Sequence, residues 1–397
     1  MSAHLTPSPV ARKLLTPGVG VLLVLIFVGL CVAAYRFIFG LEAVTNLDQQ
    51  YPWGLWIAID VATGVALAAG GFTTSALVYI FNRGHYHAII RPALLTAMLG
   101  YTFVGIGLMA DLGRYYNIWH PAWPTMWQGN SVLFEVGMCV MCYLTVLYIE
   151  FLPVFCERFE GDARFPKLGR VCGRLKHIIE KTAFLWIIAG VVLSCLHQSS
   201  LGNLMVIAPS KMHALWYTPI LALLFLLSAI AVGFPMVIFE SIYAQWALKL
   251  KPEMHILSAL ARYIPWFLGL YLAFKIGDMV IRESYVHLAE MSTQSVLFVV
   301  ELLLGVVVPF VMLLSARVRS SKRKLFAAAC LVVAGVALNR VNVFLVAYMP
   351  PYATKVYFPS LGEFAVTIGL ISLLILIYRL IVTWLPVVSH PAETRGA

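Results

Sequence analysis

The chain has 397 residues, 61% hydrophobic and only 12% charged, with a mean hydropathy of +0.88 and a formal net charge of +10. A compact water-soluble core needs a polar coat that this composition does not supply, so the solvent is lipid. In lipid the backbone must satisfy its own hydrogen bonds, and the apolar runs are continuous rather than alternating, which selects helices over a barrel.

Ten spans are predicted, at about 19–39, 54–81, 91–112, 130–152, 180–198, 214–245, 261–282, 294–315, 325–347 and 363–385. The first follows Arg12 and Lys13 but has no small-x-small cleavage site, so it is expected to be retained. Span two enters at Trp53-Gly-Leu-Trp56 and carries Asp60, and span three leaves through Asp111-Leu-Gly-Arg114. Span four enters at Asn130-Ser131 with Glu135 one turn deeper, and span five leaves through His197-Gln198-Ser-Ser200. Four consecutive helices thereby bring polar groups to one depth near one face. A carboxylate inside a span is costly and marks a functional site by default.

Lys and Arg divide twenty-one to seven between the two sides, together the chain's 28. The positive-inside rule then places both termini in the cytoplasm, and anionic lipid at the inner face accounts for the net charge without nucleic acid. The seven cysteines are scattered. Cys139 and Cys142 form a single C-x-x-C without a second pair, so no metal site is expected.

The segment Asn130-Ser-Val-Leu-Phe-Glu135 returns about 164 residues later as Gln294-Ser-Val-Leu-Phe298, followed by Glu301. Leu55-Trp56 and Gly71-Phe72 recur likewise as Leu215-Trp216 and Gly233-Phe234. An even number of spans separates the copies, so the repeat is parallel. The expected fold is an all-α integral membrane protein of about ten helices, with two parallel-repeat four-helix bundles and flanking helices. Its divisions are 1–53 (tail and first flanking helix), 54–212 (first bundle), 213–348 (second bundle) and 349–397 (last flanking helix and tail). The second bundle's Asp278, Arg282, Glu301 and Arg340 read as a structural ion network.

Bland readings stand beside the functional ones. Asp111 and Arg114, three apart on one helix, equally read as a self-neutralising pair. Gly70-Gly71 reads as close helix packing. Glu135 has no partner within a turn. A polar pocket reached from lipid suits a quinone, whose carbonyls need donors and whose reduction needs protons. Only His197 lies within a span, with His213 at the mouth of the next, so a haem-ligating pair is not expected. Tyr101 lies midway along span three, and Glu240 and Arg91 lie deeper. With Glu135 they outline a proton path, although Glu150 and Glu240 also read as snorkelling residues. The aromatic loop from Tyr115 to Gln128 reads as an interfacial belt and a docking surface.

Taken together, Pro52-Trp-Gly-Leu-Trp56 with Asp60, Phe81-Asn-Arg-Gly-His-Tyr-His87, Arg91-Pro-Ala-Leu-Leu95, Asp111-Leu-Gly-Arg114-Tyr, Asn130-Ser-Val-Leu-Phe-Glu135 and His197-Gln-Ser-Ser-Leu-Gly202 resemble the polysulfide-reductase-type (NrfD-like) family of membrane subunits. Their nearest likeness is to its branch in respiratory nickel–iron hydrogenases, and the resemblance spans essentially all ten helices. It implies a bacterial inner-membrane subunit that binds menaquinone or ubiquinone and carries no haem. Its implied partners are a periplasmic ferredoxin-like iron–sulfur subunit and the catalytic subunits of a periplasmic oxidoreductase such as a [NiFe]-hydrogenase. Tyr101 and Glu135 match the family's proton-path residues, and Asp60, Asp111, Arg114 and His197 match its quinone pocket. Asn130 and Gln198 flank those positions. The alternatives are another quinone-linked complex, coupled to a multihaem cytochrome or a molybdoenzyme, and a secondary transporter. Spans that read as continuous count against the transporter.

Overall fold

The computed structural model describes residues 5–160, 164–250 and 253–391. Among these, ten helices are long and apolar enough to cross a membrane. They are α1 (Pro17–Phe39), α2 (Trp56–Ile80), α3 (Gly84–Asp111), α4 (Val132–Phe159), α6 (Ala183–Val206), α7 (Leu221–Leu248), α8 (Met254–Ile281), α9 (Thr293–Leu314), α10 (Lys322–Val346) and α11 (Leu361–Trp384). A shorter amphipathic helix, α5 (Pro166–Lys181), joins α4 to α6. A three-residue strand, Leu5–Pro7, pairs antiparallel with Ser389–Pro391. That pairing fixes both chain ends at one face, called the terminal face below.

Four of the spans begin with a side chain that satisfies free N–H groups of the first turn. Thr16 caps α1, Ser131 caps α4 and Ser292 caps α9, each accepting from a backbone N–H of the first turn. Ser360 and Glu363 form a reciprocal capping box on α11.

Helix α2 is 83% buried inside the protein, and α1 only 17%. The difference sets the architecture. Helix α2 packs against α3, α6, α7, α10 and α11, while α1 lies outside and pairs with α11. Around this centre α3 packs on α4 and α4 on α6, and across it α7 packs on α8 and α10, which also pack on α9. Small residues set the close approaches. A Cβ on Gly70 would lie 3.2 Å from the Gly233 carbonyl, and one on Gly71 2.6 Å from the Ala97 Cβ. Gly305 meets Gly335 between α9 and α10, and Gly29 meets Gly369 between α1 and α11. The close-packing reading of Gly70-Gly71 therefore describes its surroundings.

Four expectations need correction. Helix α2 is not continuous: π-helical turns run over Trp56–Thr63 and Ala76–Ile80, with a break at Ala68 and Ala69 between them. Further π turns occupy Leu303–Val307 and Asn342–Val346. Helix α3 begins at Gly84 through a 3₁₀ turn rather than near 91, and α6 runs on to Val206 rather than 198. Helix α5 stands where the sequence reading placed only a connection. Lys251 and Arg395, counted in the charge bias, lie outside the described residues.

Gly335 has Gly305 in contact across the α9–α10 crossing, whereas Gly277 has open space where a Cβ would go. Gly335→Val is expected to lower the thermal midpoint of the detergent-solubilised chain by an amount equivalent to about 1–3 kcal/mol. Gly277→Ala is expected to leave it unchanged or slightly raised. Differential scanning fluorimetry checks both.

Candidate functional site

The first polar group lies toward the face opposite the termini. Asp60 sits in the first π turn of α2, where the backbone widens and re-aims its side chain. Gly107 of α3 permits the approach, since a Cβ there would lie 2.8 Å from the Asp60 Cβ. The Thr367 hydroxyl of α11 donates to Asp60 Oδ2 at 2.6 Å. Asp111, the last residue of α3, is buried, and its Oδ1 has no hydrogen-bond partner among the described residues. Its electrostatic neighbours are Glu363, Arg36 and Asp60. Arg36 reaches in from α1, fully buried, and donates from Nε to the Ala110 carbonyl at 2.6 Å and from a terminal nitrogen to that of Leu112. These carbonyls end α3, where free acceptors and the negative dipole end favour a cation. Glu363 accepts from the Tyr357 hydroxyl and from the Ser360 N–H at 2.8 Å.

The second group lies about 15 Å below that end, by the rise of an α-helix over roughly ten residues. The Tyr101 ring stands edge-on to Tyr143 at 4.5 Å and edge-on to His197 at 5.4 Å. All three are buried, with Ser194 beside the tyrosines. Neither ring nitrogen of His197 has a hydrogen-bond partner among the described residues. The same holds for the Tyr101 hydroxyl, the Ser194 hydroxyl and Gln198 Oε1. Gln198 spends its amide on the Val65 carbonyl, at 2.7 Å, beside the break in α2. Each unmet buried polar atom costs about 1–3 kcal/mol, so five gathered in one place mark a site built for other partners.

A polar stripe along α4 links the groups. Glu135, Cys139, Tyr143 and Glu150 follow one face at helical spacing, opposite Ser200, His197, Ser194 and Gly190 of α6. Cys139 lies beside both Glu135 and Ser200. The Glu150 carboxylate packs 3.4 Å from where a Gly190 Cβ would sit, with Tyr79 within electrostatic reach. It therefore lies between helices rather than reaching for water.

The sequence-predicted residues thus divide. Asp60 and Asp111 come together, as do Tyr101, His197 and Gln198. Glu135 heads the stripe but is exposed at its mouth, in the first turn of α4. Asn130 and Arg114 are exposed in the loops, and Arg114 stands beyond the end of α3, so Arg36 replaces it as Asp111's cation. His197 is not level with Asp60 and Glu135; α6 continues to Val206, which sets it deeper. Glu240 stands apart from the stripe, near Thr96 of α3 and Tyr378 of α11. Arg91 is held by Glu157 at 2.8 and 2.9 Å and by the Pro386 carbonyl at 2.9 Å.

The second half differs. Glu301 accepts from Trp216 at 2.9 Å and from Asn339 and Asn342 at 2.7 Å each. Arg340 donates to Asn339 and Ser228 and lies over the Phe225 ring. Asp278 pairs with Arg282 at 2.9 Å. His213 stands edge-on to His287, 5.6 Å between ring centres, and burial and that neighbour lower its pKa.

Residues 43–351 match the polysulphide reductase NrfD family. This chain belongs to that family. It is 34% identical over 386 residues to the "probable Ni/Fe-hydrogenase 2 b-type cytochrome subunit" of Escherichia coli K12, covering 96% of this chain and 95% of the relative. It is 26% identical over 382 residues to the menaquinone reductase integral membrane subunit of Nitratidesulfovibrio vulgaris Hildenborough, covering 91% and 89%. To a selenate reductase subunit of Mesobacillus selenatarsenatis it is 24% identical over 392 residues, covering 89% and 90%.

Sequence reasoning missed several residues of this NrfD-family chain. Arg36 interrupts an otherwise apolar first span, which was a usable signal. Tyr143 and Ser194 follow from helical spacing, eight residues after Glu135 and three before His197. Glu363 and Thr367 carried no local signal, because only the packing of α11 against α2 brings them in.

Arg36→Leu is expected to destabilise the protein by about 3–5 kcal/mol, because it strands a buried carboxyl group and two helix-end carbonyls. Arg36→Lys is expected to recover part of that loss. Thermal unfolding in detergent checks the order wild type, Lys, Leu.

Proposed function

We propose that this chain is the quinone-reactive membrane subunit of a respiratory oxidoreductase, most closely fitting a [NiFe]-hydrogenase. The observation that carries the reading is the buried set of unpartnered polar atoms on Tyr101, His197, Ser194 and Gln198, joined by the α4–α6 stripe to Glu135. The names of the hydrogenase and menaquinone reductase relatives support it.

The residues suit a quinone headgroup. Two carbonyl oxygens need donors, and Tyr101, Ser194 and His197 have donor capacity that no atom of the described residues uses. A bound quinone takes up two electrons and two protons. Tyr101 and His197 orient the headgroup and hand on protons, the Gln198 amide holds the broken backbone of α2 in place, and Glu135 exchanges protons with water at the mouth. Asp60, Asp111, Glu363 and Arg36 form a cluster of charged side chains above that route.

The proposed orientation has the terminal face in the bacterial cytoplasm, following the Lys and Arg bias. A periplasmic ferredoxin-like iron–sulfur partner, linked to catalytic subunits, docks on the opposite face, where Trp119, Trp123 and Trp127 are exposed. The chain itself carries no haem in this reading: among the described residues no second histidine ring contacts His197, and His213 stands edge-on to His287 and Trp216. The same site serves a complex coupled to a molybdoenzyme, which the selenate reductase relative favours as the second reading.

The assembled complex, purified through a tag on this chain, gives the test. Glu135→Gln and Tyr101→Phe are expected to lower quinone-linked turnover by about 10²–10⁴-fold while dye-linked turnover of the catalytic partner stays unchanged. Full quinone turnover in both variants sinks the site assignment. A chain that purifies without redox partners in several mild detergents sinks the subunit reading. The inward branch is decided alongside. Slowing by Glu150→Gln with Glu240→Gln unaffected assigns it to the stripe, and the reverse assigns it to Glu240.

A further inference from the structure

Helix α5 carries three stripes at the spacing of three and four residues that keeps side chains on one helical face. Lys167, Arg170, Arg174, His177 and Lys181 form the first, all exposed and none in an ion pair among the described residues. Leu168, Val171, Leu175 and Ile178 form the second, with Val171 59% and Ile178 58% exposed. Cys172, Lys176 and Ile179 form the third and face α4. There Lys176 reaches Glu160 at 3.0 Å and Glu157 at 3.7 Å, and Cys172 meets Cys156, both buried. Its hydrogen bond to Glu160 raises the Lys176 pKa.

An apolar stripe this exposed is unstable against water, yet sixteen residues with five basic side chains on one face do not cross a bilayer. A second observation locates it. The apolar stripe runs on into Phe184 and Leu185 of α6, 72% and 65% exposed, which belong to the lipid-facing side of a span. The apolar stripe is therefore level with the acyl chains of one leaflet, and the adjoining basic stripe is level with its phosphates.

We infer that α5 is an interfacial helix that binds anionic phospholipid of the leaflet at the terminal face, with Lys167, Arg170, Arg174 and Lys181 on the headgroups and Leu168, Val171 and Ile178 among the acyl chains. Bound lipid braces the docking of α5 on α4. Through Glu157, which also holds Arg91, it steadies the ends of α3 and α11.

Hydrogen–deuterium exchange of the full-length protein in nanodiscs tests this, comparing pure phosphatidylcholine with a mixture containing phosphatidylglycerol. Amides of 166–181 are expected to exchange at least tenfold more slowly in the anionic discs, an effect weakened by salt. The double variant Arg170→Gln/Arg174→Gln is expected to erase the lipid-dependent difference while α4 and α6 exchange as the wild type does in phosphatidylcholine discs, since both side chains are exposed. Val171→Ser/Ile178→Ser is expected to speed exchange in both compositions. Equal protection of the wild type in the two compositions overturns the inference, as does protection that appears only when a soluble protein is added.

Discussion

A hydrocarbon slab offers the backbone no hydrogen bonds, yet α2 interrupts its own ladder at Ala68 and Ala69 between two π-helical turns. That conflict governs the structure. Irregular backbone survives at membrane depth only when protein surrounds it. Five helices enclose α2, and Gly70, Gly71, Gly107 and Gly233 let them come close enough to exclude lipid. The break provides a carbonyl, that of Val65, for Gln198 to hold, and the π turn around it aims Asp60 toward α3 and α11. Removing the enclosure would remove the site with it. Broken helices also serve secondary transporters, but here the break is packed on all sides and sits beside a one-sided polar group.

Two buried polar clusters share the same solvent and meet opposite fates. Around Glu301 three donors from two elements converge on one carboxylate, as expected of a network that stabilises a helix crossing. Around His197 the donors and acceptors are equally buried but unmet. Burial is therefore not the distinguishing property: the Glu301 carboxylate has its donors, with Arg340 Nε and Asn342 Oδ1 left over, whereas around His197 five atoms on four side chains are unmet among the described residues. A cluster left open at a cost of several kcal/mol persists when a ligand or water completes it. The two similar motifs, Asn130 to Glu135 and Gln294 to Glu301, end in different roles for this reason. Glu135 stands exposed at the head of a stripe, and Glu301 lies buried with three side-chain donors on its carboxylate.

The spans were legible in the sequence because a run of about twenty apolar residues has one meaning in lipid. Asp60, Asp111, Tyr101 and His197 were legible because a polar side chain in such a run is rare. Depth was not, since it depends on where a helix ends. Reading α6 as ending at 198 instead of Val206 lifted His197 by roughly two turns and levelled it falsely with Asp60. The π turns left no trace because widening by one residue does not alter hydropathy. That Asp111 has Arg36 rather than Arg114 as its cationic neighbour was hidden as well. It depends on α3 ending at Asp111, which throws Arg114 into the loop, and on the packing of α1 nearby.

Helices α1 and α11 read in sequence as flanking elements, and their chemistry says otherwise. One supplies the cation facing Asp111, and the other supplies the hydroxyl on Asp60 and the third carboxyl group of the cluster. They hold each other through Gly29 and Gly369, where backbones touch without intervening side chains. Both are largely exposed to lipid, so the acidic cluster has walls that are thin on that side. A peripheral pair that carries charged groups into a core, and is held by a glycine contact rather than by deep packing, is placed where the membrane itself reaches closest to the site.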